Sequence, residues 1–345
     1  MAFFLFYRNG DVTEMKEFSA SVLEPFGLRA KKVTRAYGAF ICDTNQGVML
    51  VKAVQEREEM LWFAHGAKEH LARQGFLWTD RYQMDHDGKI WTEQGGEMYT
   101  VRSWMRAEEA QLTEEDAAVR MAAMLGQMHR AARGYEPPEK SGGINRCYEW
   151  PQRVYKDYRR LQNYGKMLRK NGKYTEFDLL VLDCLPEGLD QVQEAQNFFL
   201  SGGYTRLSER SDRERAFGHG GYCDHTVLLG RGQGMITDFE KSCYMIPVVD
   251  LAVFLERAMR KNEWDTKLGV HMLENYDRWY PMDTEEQQML LALMVYPSRF
   301  CELCREAYYM KRSWMPISYK RKLEELVQQQ KNRKEFLKQL HYILR

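Results

Sequence analysis

Apolar positions recur along the chain with two periods, and the switch between them divides it into a strand-rich beginning and a long helical remainder. Met15 to Phe26 carry helical spacing and end at Gly27, a residue suited to a helix C-terminus. Val33, Ala39-Phe40-Ile41 and Val48-Met49-Leu50-Val51 are strand-length runs, the last two separated by Asp43-Thr44-Asn45-Gln46-Gly47, a turn of Asx and glycine type that predicts a hairpin. From Glu56 to Gln74 the period lengthens: Met60, Phe63, Ala64, Ala67 and Leu71 share one helical face, and Gly75 closes it. Trp78, Tyr82, Ile90-Trp91-Thr92 and Met98-Tyr99-Thr100-Val101 read as further strands. Beyond Ser103-Trp104-Met105-Arg106-Ala107 helices dominate. Thr113-Glu114-Glu115-Asp116 has the form of a capping box before Ala117, Met121, Met124, Leu125 and Met128, an amphipathic run to about Arg133. After a Pro137 to Gly143 loop, helical spacing covers Trp150–Lys173, Phe177–Phe199, Trp264–Tyr280, Thr284–Val295 and Phe300–Lys311, with Asp283 a cap and Pro297 a break. The pattern predicts an α+β chain, strand-rich at first and mainly helical after.

One stretch, Phe217 to Leu255, concentrates the polar chemistry. Val227-Leu228-Leu229 and Met235-Ile236-Thr237 flank the glycine-rich Gly230-Arg231-Gly232-Gln233-Gly234, which predicts a hairpin. His219, Asp224 and His225 precede the first strand and Asp238 follows the second, so the turn brings a histidine-rich loop beside an isolated carboxylate. Asp250 stands in Val248-Val249-Asp250-Leu251-Ala252, an apolar helix start; a carboxylate there needs bonds, and backbone N–H groups of the His219 loop are the expected donors.

These residues resemble the catalytic segment of the aminoglycoside-phosphotransferase and choline-kinase branch of the protein-kinase-like fold, in which H-G-D-x-x-x-x-N is followed by a strand and I-D-F/W. Here His219-Gly220 and Ile236-Thr237-Asp238-Phe239 keep the frame, while Gly221 replaces the catalytic Asp and Thr226 the metal-binding Asn. Pro247 to Ala252 matches the D-x-A/L element of that branch, and Leu125-Gly126-Gln127-Met128-His129-Arg130-Ala131 is similar to its L-A-x-L-H-x-A. The whole chain is similar to the CotS-type spore coat proteins, a kinase-like family of spore-forming bacteria. The resemblance implies a two-lobe protein-kinase-like fold, with the hinge at Ser103 to Ala107 so that a small β-rich lobe spans residues 1–105 and a large mainly helical lobe residues 106–345; it also implies ATP and Mg²⁺ as ligands, and other spore coat proteins as partners. It places Lys52, at the end of the second strand of the first hairpin, on the α/β-phosphates, and makes Glu69, seventeen positions on, its best ion-pair partner, although Glu56, Glu58 and Glu59 share that helix. Asp238 becomes the Mg²⁺ ligand, with Glu240 nearby. Asp224, three residues beyond Gly221, is the substitute base if the loop is shifted, with His219 beside it and Cys223 and His225 as further candidates. The segment before Lys52 offers only Arg35-Ala36-Tyr37-Gly38-Ala39 in place of a glycine-rich phosphate loop, so phosphate grip is expected to be weak. Taken without the resemblance, Lys52 is a snorkelling lysine at a strand end, Glu69 part of a solvated helix face, and His129 a satisfied helix histidine.

Bulk composition narrows the reading. The 345 residues, 44% hydrophobic, exceed the roughly 250–300 over which single cores stop growing, which suits two lobes. With 50 basic against 49 acidic residues the net charge is +1, so no global field favours nucleic acid or an anionic membrane. The apolar start, Met1 to Phe6, lacks a basic leader or cleavage site, and no apolar run approaches about 18 residues, which reads as a cytoplasmic protein with no membrane partner. Seven scattered cysteines are expected as free thiols; Cys301-Glu302-Leu303-Cys304 reads as one buried helix face rather than a metal site. Between Trp150 and Lys173, tyrosines interleave with Arg153, Lys156, Arg159, Arg160, Lys166, Arg169 and Lys170, either a surface for an anionic ligand or a solvated helix that packs its tyrosines inward. The basic stretch from Met310 to Arg345 reads as a helical tail docked on the body. Three functions follow: a non-catalytic kinase-fold protein that binds or builds in the spore coat, an active phosphotransferase that uses Asp224 and Asp238, or, least favoured by the near-zero net charge, a nucleic-acid-binding helical protein on a worn kinase frame.

Overall fold

The computed structural model describes residues 19–36, 38–142, 144–309 and 317–344. The chain divides into two compact units, one formed by residues up to Gln55 with Arg81–Met105, the other by Glu56–Asp80 with Arg106 onward.

The first unit is an antiparallel sheet. β1 (Ala30–Ala36), β2 (Ala39–Thr44), β3 (Gly47–Val54), β4 (Thr92–Gln94) and β5 (Glu97–Ser103) lie in the order β1-β2-β3-β5-β4. The β2–β3 turn has Gly47 at φ +113°, and the β4–β5 turn has Gly95 and Gly96 at +60° and +78°, a geometry that side-chain-bearing residues avoid. One face of the sheet buries Cys42, Met49, Val51 and Val101 against Val22, Leu23, Phe26 and Leu28. Ala20–Phe26 is a 3₁₀ turn closed by Gly27 in the left-handed conformation; the start of the helix expected from Met15 lies outside the described residues. The strands expected at Trp78, Tyr82 and Ile90 shrink to isolated bridges at Thr79 and Tyr82, and regular pairing begins only at Thr92. Asp85 explains part of this: its Oδ1 accepts from the N–H groups of Asp87 and Lys89, an Asx turn that competes with a strand.

The second unit is mainly helical. α1 (Glu58–Arg73) is followed by β6 (Glu108–Glu109), α2 (Glu115–Ala131), α3 (Trp150–Asn171), α4 (Glu176–Phe199) and α5 (Gly202–Arg213). Then come short strands β7 (Phe217–Gly218), β8 (Val227–Leu229), β9 (Gly234–Ile236) and β10 (Cys243–Tyr244), and helices α6 (Val248–Lys261), α7 (Thr266–Asp277), α8 (Thr284–Val295), α9 (Ser298–Tyr309) and α10 (Ile317–Ile343). The expectation of a 1–105 lobe grouped α1 with the sheet, whereas α1 packs within the helical unit. Phe63 meets the rings of Tyr135 and Tyr244 edge-on, His70 Nε2 lies 2.9 Å from the Arg133 carbonyl, and Gly66 leaves room for the Tyr135 hydroxyl. α10 docks on α4 through Lys334 to Glu187 (2.9 Å) and a Lys320–Glu176 pair, and buries Leu323, Phe336 and Leu340. Among the described residues no helix is long and apolar enough to cross a membrane.

Candidate functional site

Phe217 to Asp250 closes on itself through main-chain and side-chain bonds, and each predicted residue in it has a defined place. β7 pairs with β10, and β8 with β9, so the His219 loop and the segment carrying Asp238 are held between two short ladders. Asp250, in the first turn of α6, is 4% exposed; its carboxylate accepts from His219 N–H (2.5 Å) and Gly220 N–H (3.0 Å), and His129 Nε2 lies 3.5 Å from it. The donors expected for Asp250 are therefore the ones present. His129, fully buried, reaches the Tyr276 hydroxyl at 2.8 Å with its other nitrogen, as a satisfied helix histidine does. Gly220 sits at φ +74°, and a Cβ there would come within 2.2 Å of the Lys241 carbonyl oxygen, so this anchored loop accepts only glycine.

His219 is a strut. Its Nε2 lies 2.7 Å from the Thr237 carbonyl oxygen, a bond that requires the proton on Nε2 and leaves Nδ1 a bare acceptor, buried without a partner. Burial lowers its pKa, with the Asp250 charge opposing. Thr226 is equally committed. Its hydroxyl accepts from Cys223 N–H and donates to the Cys223 carbonyl, each at 3.0 Å, which closes the 3₁₀ turn Asp224–Thr226.

Asp224 points to α6 and is held by Arg257 Nε (2.5 Å) on one oxygen and the Lys261 ammonium on the other. Burial by itself raises this carboxyl, but the hydrogen bonds from Arg257 and Lys261 outweigh it and hold the group below the usual carboxylate range. Gly221 has an ordinary φ. A Cβ built on it would meet only the Lys241 side chain (3.4 Å) and His219 Nδ1 (3.8 Å), so the loop has room for a side chain that the sequence does not supply.

Asp238 adopts φ 61°, ψ 52°, a left-handed conformation unusual for a residue with a Cβ. Its N–H lies 3.5 Å from Asp80 Oδ2, and Asp80 is paired with Lys68 (Nζ to Oδ1, 2.7 Å) with both side chains fully buried. Lys68 Nζ also bonds the Asp80 carbonyl at 2.8 Å and lies 5.5 Å from the Phe239 ring centre. Ile236 N–H donates to the Trp78 carbonyl, so the chain before Asp80 runs beside the end of β9. Sequence reasoning missed Lys68 and Asp80. The available signal was a charged residue on the apolar face of α1, four positions after Ala64 and three before Leu71.

Lys52 stands on β3 opposite Thr100, in the first unit, and Glu69 on α1, in the second. Among the described residues no group of three or more His, Cys, Asp or Glu side chains is gathered to hold a metal ion. Cys301 and Cys304 are buried in α9, and burial raises both thiols.

The model of the family described as "Spore coat putative kinase YutH" matches residues 19–340. The chain belongs to this spore coat kinase-like family. Spore coat protein S of Bacillus subtilis (strain 168) is 23% identical over 309 residues, covering 86% of this chain and 85% of that protein. An aminoglycoside phosphotransferase from Alicyclobacillus acidocaldarius superposes with a TM-score of 0.85 at 17% identity, over 98% of this chain and 99% of that one. A spectinomycin phosphotransferase solved with ADP and spectinomycin gives 0.60 at 12% identity, over 89% and 93%. The fold is therefore the two-lobe, kinase-like α+β fold. In this chain the His219 loop is anchored to Asp250 and Thr237, and the side chains of Asp224 and Thr226 are turned to internal bonds.

Proposed function

We propose that this chain is a non-catalytic, spore-coat-associated binding protein that keeps a kinase-like frame. One observation carries the reading: the loop from His219 to Thr226 has no carboxylate available to an acceptor hydroxyl, because Gly221 has no side chain and both oxygens of Asp224 are held by Arg257 and Lys261. Thr226 spends its hydroxyl inside the turn, and Asp238, with Glu240 two residues on, stands at the family's metal position. Magnesium bound to nucleotide needs as few as one or two protein carboxylates beside the phosphates, so Asp238 fits weak Mg-ATP binding, and Lys52 is the phosphate contact that the family resemblance implies. The bound nucleotide would supply a phosphate anchor. The partners are other coat proteins, met after synthesis in the cytoplasm and during assembly into the coat.

The competing function, phosphoryl transfer with Asp224 as base and Asp238 on the metal, requires both ion pairs of Asp224 to open. General-base help is worth about 10²–10⁴-fold, so the two readings differ by a measurable factor. ADP release is measured with Mg²⁺ and Mn²⁺ on the parent, on Asp224→Ala, and on Gly221→Asp combined with Thr226→Asn. The expected result is an inert parent and an inert Asp224→Ala, with any gain confined to the double change. Parental turnover that vanishes in Asp224→Ala would overturn the proposal. Thermal-shift titration with Mg-ATP on parent and Lys52→Ala reads binding separately, since a ligand of the folded state raises the melting temperature by mass action.

A further inference from the structure

The α3–α4 hairpin has a surface of unusual composition. Of fourteen large apolar side chains left exposed among the described residues, six (Tyr148, Tyr155, Met167, Tyr174, Leu179 and Leu200) fall on it or its flanks, a concentration of the kind that marks interaction surfaces. Its charge is segregated by helix. α3 carries seven basic residues and one acid, Asp157, while α4 carries six acids and no base. Both helices rest on α9: Tyr308 meets the rings of Tyr164 on α3 and Phe177 on α4, and Phe300 closes over Gly188, so their outward faces share one side.

The close approach of Leu185 to Gly165 sets the level of the two antiparallel helices. Counting outward from that contact brings Lys166 level with Asp183, Arg159 with Asp190 and Lys156 with Glu194. All six are exposed, and among the described residues none joins an ion pair, whereas cations of α10 are spent on Glu176 and Glu187 of α4. A two-fold axis along the hairpin lays α3 of one copy over α4 of a second at the same level. Each basic row then meets an acidic row, and each pairing occurs twice, which is the self-complementarity that an isologous contact needs.

We propose that this chain forms a symmetric homodimer through the outward face of the α3–α4 hairpin, in which Lys156, Arg159 and Lys166 meet Glu194, Asp190 and Asp183 of the second copy. A face about 33 Å long and about 20 Å wide gives roughly 660 Å² per copy, about 1,300 Å² in the pair, within the range of specific interfaces. A second copy suits this face better than a polyanion, because a nucleic acid or an acidic segment would meet the unpaired Asp183, Asp190 and Glu194 as well as the cations.

The test is the oligomeric state of the full chain by sedimentation velocity. The dimer is expected at about 50 mM salt and weakens at least roughly tenfold near 0.5 M, where exposed charges are screened beyond about 4 Å. The triple change Lys156→Glu, Arg159→Glu, Lys166→Glu yields monomer, as does Asp183→Lys, Asp190→Lys, Glu194→Lys. Mixing the two yields a heterodimer, since every row again faces its opposite. Circular dichroism checks folding, and should a reversal unfold, the triple glutamine change on α3 must still weaken the dimer. A parent that is monomeric at about 100 µM and low salt overturns the proposal, whether or not it binds a DNA duplex or polyglutamate, and so does a dimer that neither reversal disturbs.

Discussion

Removing the Asp250 carboxylate should be the most damaging single polar change in the His219 loop. In Asp250→Ala the main-chain N–H groups of His219 and Gly220, now bonded at 2.5 and 3.0 Å, lose a charged acceptor in a place where water does not replace it. Hydrogen bonds to a charged group contribute about 1.5–3 kcal/mol each, so two of them with partial relaxation amount to about 3–5 kcal/mol. At about 2–4 °C per kcal/mol for a unit of this size, the melting temperature should fall by roughly 6–20 °C. Relaxation is limited, because Gly220 is already held at φ +74° against the Lys241 carbonyl. Asp250→Asn should lose at least half as much, since its amide NH₂ turns toward one of the two N–H donors. The assay is thermal unfolding by near-ultraviolet circular dichroism together with hydrogen exchange of the His219 and Gly220 amides. Melting within about 2 °C of the parent, with amide protection unchanged, would refute the account of Asp250 as the loop's anchor.

Lys68→Met removes the buried cation from the fully buried Asp80 carboxylate and should cost about 3–5 kcal/mol, while adding Asp80→Asn should recover part of the loss; urea unfolding of both variants checks this, and equal stability of single and double would remove the ion pair from the argument. Stability should also fall as the pH drops from 6.5 toward 5. Burial lowers the pKa of His219 and of His70, so below 6.5 the unfolded chain takes up protons that the folded one refuses, at up to about 1.4 kcal/mol per pH unit for each. A melting series on the parent and on His219→Gln reads the slope, and a variant with the parent's slope would contradict it. Asp224 acts lower: its contribution is complete above the usual carboxylate pKa of 3.8 and is lost as the pH falls through its depressed folded value, so Asp224→Asn should erase part of the acid transition below pH 3.8.

The frame of the molecule was legible in the chain because it rests on local chemistry. Hydrophobic period separated strands from helices, glycines marked the turns where φ is positive, and the spacing from His219 to Thr226 and on to Asp238 carried the family likeness. Even the anchor at Asp250 could be read, since a carboxylate inside an apolar helix start needs main-chain donors and the His219 loop offered them. What the chain alone left open was decided by which faces meet. Asp224 could be a base or a structural group until α6 brought Arg257 and Lys261, 33 and 37 residues further on, to its two oxygens. Lys68 and Asp80 went unremarked because their pairing depends on α1 packing in the helical unit, and no periodicity encodes that choice. Thr226 likewise stood where the family has its metal-binding Asn, and only the folded turn shows its hydroxyl already bonded on both sides. The physical reason is common to all three: secondary structure follows from near neighbours in the chain, whereas the state of a polar side chain depends on partners that only tertiary packing delivers.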